Sequence, residues 1–113
     1  MLTSGDAVDL DLGSPKGREA GLRRPVVVVT AQEILDESAN VVQVVPLTTT
    51  IRRFGSEVGI LADETNGLES DSAAQCQHIR SVSVDRVETV RGNVGAATLS
   101  ELRGVLGLIL DIN

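Results

Sequence analysis

The 113-residue chain contains one cysteine, one histidine and one aromatic residue, with no tryptophan or tyrosine. The single thiol, Cys76, cannot form an internal disulfide, which suits a reducing compartment, and it excludes a cysteine-rich zinc site. With His78 alone, mechanisms that need a histidine pair are closed. With Phe54 alone, so is the stacking of several bases on several rings. No apolar run approaches the roughly 20 residues of a membrane span. Met1–Asp6 has neither the basic start nor the apolar stretch of a secretory signal, so the expected location is the cytoplasm. Metal-ligand spacings, glycine-rich phosphate loops and nucleophile elbows are all missing, so no metal or cofactor is expected. Bases are scarcer than acids. The net charge of −6 argues against indiscriminate nucleic-acid binding.

What is present is unevenly placed. Six of the ten basic residues, Lys16, Arg18, Arg23, Arg24, Arg52 and Arg53, flank two short motifs, while residues 54–75 carry five acids and no base. The motifs are Arg23-Arg24-Pro-Val-Val-Val-Val-Thr30 and Val44-Val-Pro-Leu-Thr-Thr-Thr50. Each joins a polar cluster to a β-branched run that reads as a strand. If the two strands are neighbours, the Arg24 guanidinium and the Thr48 hydroxyl come together. A guanidinium fork and a hydroxyl donor suit an anion, a phosphodiester in particular. Solvated arginines and ordinary strand-forming threonines are the plainer reading of the same residues.

The length and a hydrophobic content of 42% allow one domain over residues 1–113 with a single modest core. Strands are expected over Val8–Leu12, Val26–Thr30, Val41–Leu47, Glu57–Leu61, Ala73–Val82 and Val90–Val94. Gly13–Leu22 reads as a mobile loop, Gln32–Ser38 as a short helix, Glu64–Ser72 as turn and Asp85–Val87 as a helical turn. Near the end the period changes. Leu99, Leu102, Val105, Leu106, Ile109 and Leu110 recur at helical spacing and predict one apolar stripe. The pattern predicts a mainly β fold, a small curved sheet or barrel with a terminal helix packed on it.

Other polar residues admit two readings. Glu19 among four cations is either a loop ion pair or a base for a ribose 2′-hydroxyl. Gln77 and His78 are either structural or able to read base edges. Phe54 is either local packing or a single platform for an unpaired base. Cys76 reads as a small core residue.

In order along the chain, Gly5-Asp6, Asp11-Leu12-Gly13, Gly17-Arg-Glu19, Gly21-Leu-Arg-Arg-Pro-Val-Val-Val-Val29, Val45-Pro-Leu-Thr-Thr49, Glu57-Val58, Gln77-His-Ile-Arg-Ser81, Gly92-Asn-Val94 and the leucine-rich terminal segment resemble the MazF/PemK (Kid) toxins. The resemblance covers nearly the whole chain. It implies an SH3-like barrel of the MazF/CcdB/Kid type with a C-terminal helix, assembled as a homodimer. It implies a toxin of a type II toxin–antitoxin system that cuts single-stranded RNA at short sequences without a metal. In such a reaction the 2′-hydroxyl attacks phosphorus and leaves a 2′,3′-cyclic phosphate and a 5′-hydroxyl. By motif match the catalytic residues would be Arg24, Thr48 and Glu19. RNA contacts are expected at Lys16, Arg18, Arg23, Thr49, Arg52, Arg53, Phe54, Gln77 and His78.

The implied partner is a cognate antitoxin whose disordered, often acidic tail covers the RNA groove, and the basic patch is its expected landing place. The C-terminal helix, or the strand edges near it, is the expected dimer interface. Two departures from the family pattern bear on the site. Arg18 stands where a serine is usual and adds a cation beside Glu19. His78 stands where a glutamine is usual. A CcdB-like gyrase poison of the same fold and a catalytically weak RNA-binding relative are the rival readings.

Overall fold

The computed structural model describes residues 1–112. Seven strands follow one another as β1 (Asp6–Asp11), β2 (Arg23–Val28), β3 (Val41–Thr48), β4 (Glu57–Ile60), β5 (Ser72–Gln75), β6 (Arg80–Ser83) and β7 (Val87–Asn93). A short helix α1 (Gln32–Leu35) joins β2 to β3, and α2 (Ala96–Leu110) ends the fold. All strand pairs are antiparallel, in the order β4-β5-β3-β2-β1-β7, with β6 also on β3.

The long strand β3 turns the sheet. Val41–Val44 pair with β6, and Leu47 and Thr48 pair with β5. Between the two partners stand Val45 and Pro46, and proline has no N–H to give to a ladder. The single strand expected over Ala73–Val82 is therefore two strands, broken by a 3₁₀ turn at Cys76–His78. The break is fixed from a distance: the Cys76 N–H donates to Ser56 O at 3.1 Å, and the Ile79 N–H closes the turn on Cys76 O at 3.2 Å. This turn leaves Gln77 exposed and His78 half-buried instead of burying both in a ladder.

The β-branched runs are buried on both sheet faces. Val8, Leu10, Val26, Val28, Val42 and Val44 meet Leu35 and Val82 on one face. Ala7, Val27, Val45, Leu47 and Val58 meet Leu99, Leu102 and Leu106 of α2 on the other. The helical stripe is thus buried through Leu106. Ile109 and Leu110, expected in the same stripe, are 40% and 53% exposed. The last turn of α2 runs past the sheet and leaves Leu108, Ile109, Leu110 and Ile112 as an apolar patch.

The architecture is the expected curled sheet with a terminal helix, but among the described residues no ladder closes the barrel between β7 and β4. Residues 61–71 cover that edge. The buried Asn66 holds this loop, donating to Leu61 O at 2.9 Å and accepting from the Asp63 and Leu68 N–H groups at 3.1 and 3.0 Å. The loop sits so close to β7 that a Cβ added at Gly92 would lie 2.2 Å from Thr65 O. Gly67, at φ +67°, makes the matching approach to Arg91 O. Gly92→Ala should therefore destabilise the protein by about 1–3 kcal/mol, the usual range for overpacking. Urea unfolding measures this, and an unchanged midpoint would show that the loop yields freely.

Candidate active site

The register of β2 and β3 aligns Val26 with Pro46. Val26–Pro46 is the last pair of that ladder; continued two residues past it, the register would bring Arg24 level with Thr48, and the Arg24 guanidinium does reach the carbonyl of the adjoining Leu47. Successive strand residues point to opposite faces, so Arg23 and Arg24 part company. Arg23 is exposed and pairs with Glu88 of β7 at 2.8 Å. Arg24 is half-buried. Its Nε donates to Gly21 O at 2.8 Å and its Nη1 reaches Leu47 O at 3.5 Å. Among the described residues no carboxylate pairs with it. A guanidinium carries five N–H donors. Held only by neutral carbonyls, it keeps its charge and several donors for an anion.

Thr48 ends β3. Its Oγ1 accepts the Thr50 N–H at 3.1 Å, which orients the hydroxyl and leaves its own proton to donate. Thr48 and Thr49 line a small hollow of about 180 Å³ together with Arg91, Glu69 and Pro25.

Glu19 lies on the loop between β1 and β2. The chain reverses there through Leu22 at φ 65°, with Leu22 N–H to Gly13 O at 2.7 Å and Leu12 N–H to Leu22 O at 2.9 Å. Glu19 Oε1 accepts the Lys16 N–H at 2.9 Å. The carboxylate is exposed and makes no ion pair, Arg18 included, among the described residues. Arg24 grips this same loop at Gly21, so guanidinium and glutamate belong to one unit.

A cleft of about 590 Å³ opens beside that loop. Lys16, Glu19, Gln77 and His78 line it with Ser14 and Arg80. The structure thus gathers four of the expected residues in one cleft, with Arg24 and Thr48 at the neighbouring strand ends. Arg52, Arg53 and Phe54 lie outside it, on the loop 49–56. The Arg52 guanidinium stacks 4.9 Å from the Phe54 ring centre and pairs with Glu57 at 2.6 Å.

Arg80 was not singled out from the sequence. It lines the cleft and anchors its loop by donating to Leu12 O at 3.0 Å. Its one signal was its place in the Gln77–Ser81 block. Burial pushes the Cys76 thiol up to about 11, so it is no nucleophile near neutral pH.

The family model for the PemK-like, MazF-like toxin of type II toxin–antitoxin systems matches residues 3–110. The chain belongs to this family. It is similar to the endoribonuclease MazF9 of Mycobacterium tuberculosis, strain ATCC 25618 / H37Rv, with 34% identity over 116 residues, covering 99% of this chain and 98% of that protein. Among solved structures it is similar to MazF (Form-I) from Deinococcus radiodurans, at 26% identity and a TM-score of 0.82, with 98% of this chain and 97% of that one covered. The MazE–MazF complex (Form-II) from the same organism matches at 26% identity and a TM-score of 0.76, covering 99% and 97% of the two chains. The two solved Deinococcus radiodurans structures share the fold described above.

Proposed function

We propose that this toxin is an endoribonuclease that cuts single-stranded RNA by attack of the ribose 2′-hydroxyl on the adjacent phosphorus. The observation that carries the reading is the Arg24 guanidinium, held by Gly21 O and by the carbonyl of Leu47, the residue before Thr48, and unpaired by any carboxylate among the described residues. In the reaction the 2′-oxygen–phosphorus bond forms and the phosphorus–5′-oxygen bond breaks. Glu19 takes the 2′-hydroxyl proton, and the leaving 5′-oxygen takes a proton from solvent water to become the 5′-hydroxyl. Arg24 and Thr48 donate to the phosphoryl oxygens, where negative charge grows in the transition state, and such preorganised donors are commonly the largest catalytic contribution. No metal is assigned a step. The similarity to MazF9 supports the activity over the whole chain length.

The other expected contacts fall around this centre. Lys16, Gln77 and His78 line the cleft, where they would meet the RNA. Lys16, Arg18 and Arg53 have no ion-pair partner among the described residues, so they add positive field for the RNA backbone or for an acidic antitoxin tail. Thr49 and the Arg52–Phe54 pair extend the surface beyond the cleft. Arg23, tied to Glu88, contributes field alone. The exposed apolar end of α2 is the surface on which two copies would join as a homodimer. No helix is long and apolar enough to cross a membrane, and the proposed place of action is the cytoplasm.

The decisive experiment incubates the purified protein with a long unstructured RNA in EDTA. Discrete cuts with 5′-hydroxyl and 2′,3′-cyclic phosphate ends are expected. Intact RNA together with a blocked gyrase would overturn the reading in favour of a CcdB-like poison.

A further inference from the structure

Glu57 opens β4 opposite Gln75 of β5. Its side chain is 1% exposed. One oxygen, Oε2, accepts from Arg52 Nη2 at 2.6 Å and from Gln77 Nε2 at 2.8 Å. The other, Oε1, is buried and has no partner, and the same is true of Gln75 Oε1. A single buried carboxylate therefore ties together two segments twenty residues apart. The backbone reinforces the tie: the Glu57 N–H donates to Phe54 O at 3.0 Å, and the Cys76 N–H donates to Ser56 O at 3.1 Å.

This arrangement is a poor way to gain stability. Withdrawing a carboxylate from water is costly, and leaving one oxygen without a donor adds to the cost. A well-packed apolar side chain commonly serves stability as well or better. What the carboxylate supplies is direction. Burial pushes the Glu57 carboxyl up, but the hydrogen bonds from the Gln77 amide and the Arg52 guanidinium outweigh it, and it lies below its ordinary value. It is thus a fixed anion at neutral pH, and both partners must present N–H to it. Gln77 then has one N–H and its carbonyl oxygen left in a set orientation. Arg52, spanning Glu57 and the Phe54 ring, is set in the same way.

We propose that Glu57 is a positioning residue: by holding the Gln77 amide and the Arg52–Phe54 pair in one arrangement, it sets the base preference of the site. The inference rests on the ribonuclease reading above. A free glutamine amide can turn over and exchange donor for acceptor, which blurs the distinction between base edges. An amide with one N–H committed to a carboxylate cannot turn over without setting its own carbonyl oxygen against that anion.

The test compares wild type with Glu57→Gln, Gln77→Ala and the double variant, mapping cleavage ends on one long unstructured RNA. Glu57→Gln should lower the ratio of cutting at preferred over non-preferred sites about tenfold, as expected when one hydrogen bond to a charged group stops directing a specificity contact. Gln77→Ala, an exposed substitution, should lower it similarly, and the double variant should add little. Unchanged preference, or losses that multiply, would overturn the proposal. An arm independent of cleavage follows the Gln77 side-chain amide by nuclear magnetic resonance in the free protein. Its resonances should move and broaden in Glu57→Gln, and a static amide would overturn the proposal. Wild type that fails to cut RNA would defeat the ribonuclease reading, while the amide signal would still judge Glu57.

Discussion

Arg24→Ala should abolish RNA cleavage and leave the protein folded. The side chain is half-buried, and its hydrogen bonds go to two backbone carbonyls that water can serve once the guanidinium is gone. It supports no ion pair and lies at the end of a strand, so a circular-dichroism melt should move little. The proposed reaction, by contrast, loses the guanidinium held beside the β3 end that carries Thr48. Removing one preorganised donor commonly costs a hundredfold to a thousandfold, and this loss removes a charge as well, so about a thousandfold or more is expected. Arg24→Lys should recover only part of it, because an ammonium is a point charge without the fork. Arg23→Ala is the matched control: its partner is Glu88 on the opposite face, and a change of a few-fold at most is expected. Single-turnover cleavage of a short RNA measures all three. Full activity in Arg24→Ala would remove this residue from the mechanism.

Those arginines also show how far the sequence carries the site. The runs Val26–Thr30 and Val41–Leu47 read as two strands, and their adjacency is what brings Arg24 toward the β3 end that carries Thr48. The side-chain alternation that separates Arg23 from Arg24 was equally implicit. The break at Cys76–His78 was not legible. Ala73–Val82 has the composition of one strand, and the turn depends on a hydrogen bond from the Cys76 N–H to Ser56 O and on the point where β3 changes partners. Both are long-range facts. The role of Glu57 was hidden for the same reason. Its place in a strand was evident, but a carboxylate between Arg52 and Gln77 exists only after β4 and β5 pair.

The edge of the barrel followed a similar rule. Gly67 and Gly92 are unremarkable in isolation and become necessary when the loop 61–71 lies against β7. The terminal helix was legible by its period, yet period alone does not say where the sheet ends beneath it, so Ile109 and Leu110 were assigned to the buried face. The roles of individual site residues came from the resemblance. The geometry then separates the expected cations by circumstance: Arg24 is held by neutral carbonyls, whereas Arg23 and Arg52 are engaged by carboxylates.

In the proposed mechanism, Glu19 is the residue on which the chemistry of the first step depends. In the structure its Oε1 is occupied by the Lys16 N–H, while no arginine pairs with its exposed carboxylate. The neighbouring Arg18, which adds a cation beside Glu19 in the sequence, makes no ion pair with it. Glu19→Gln keeps a carbonyl oxygen for the Lys16 N–H, so the loop, and with it the Gly21 carbonyl that steadies Arg24, should stay in place. What the substitution removes is the capacity to accept a proton from the 2′-hydroxyl. A positioned general base contributes roughly 10²- to 10⁴-fold, so kcat should fall by that order while KM changes little. A rise in KM with kcat preserved would make Glu19 a binding residue. Cleavage at the wild-type rate would leave the 2′-hydroxyl to be deprotonated by another group lining the same cleft, where His78 is the nearest candidate by composition. His78→Gln would then be the variant that stops the reaction.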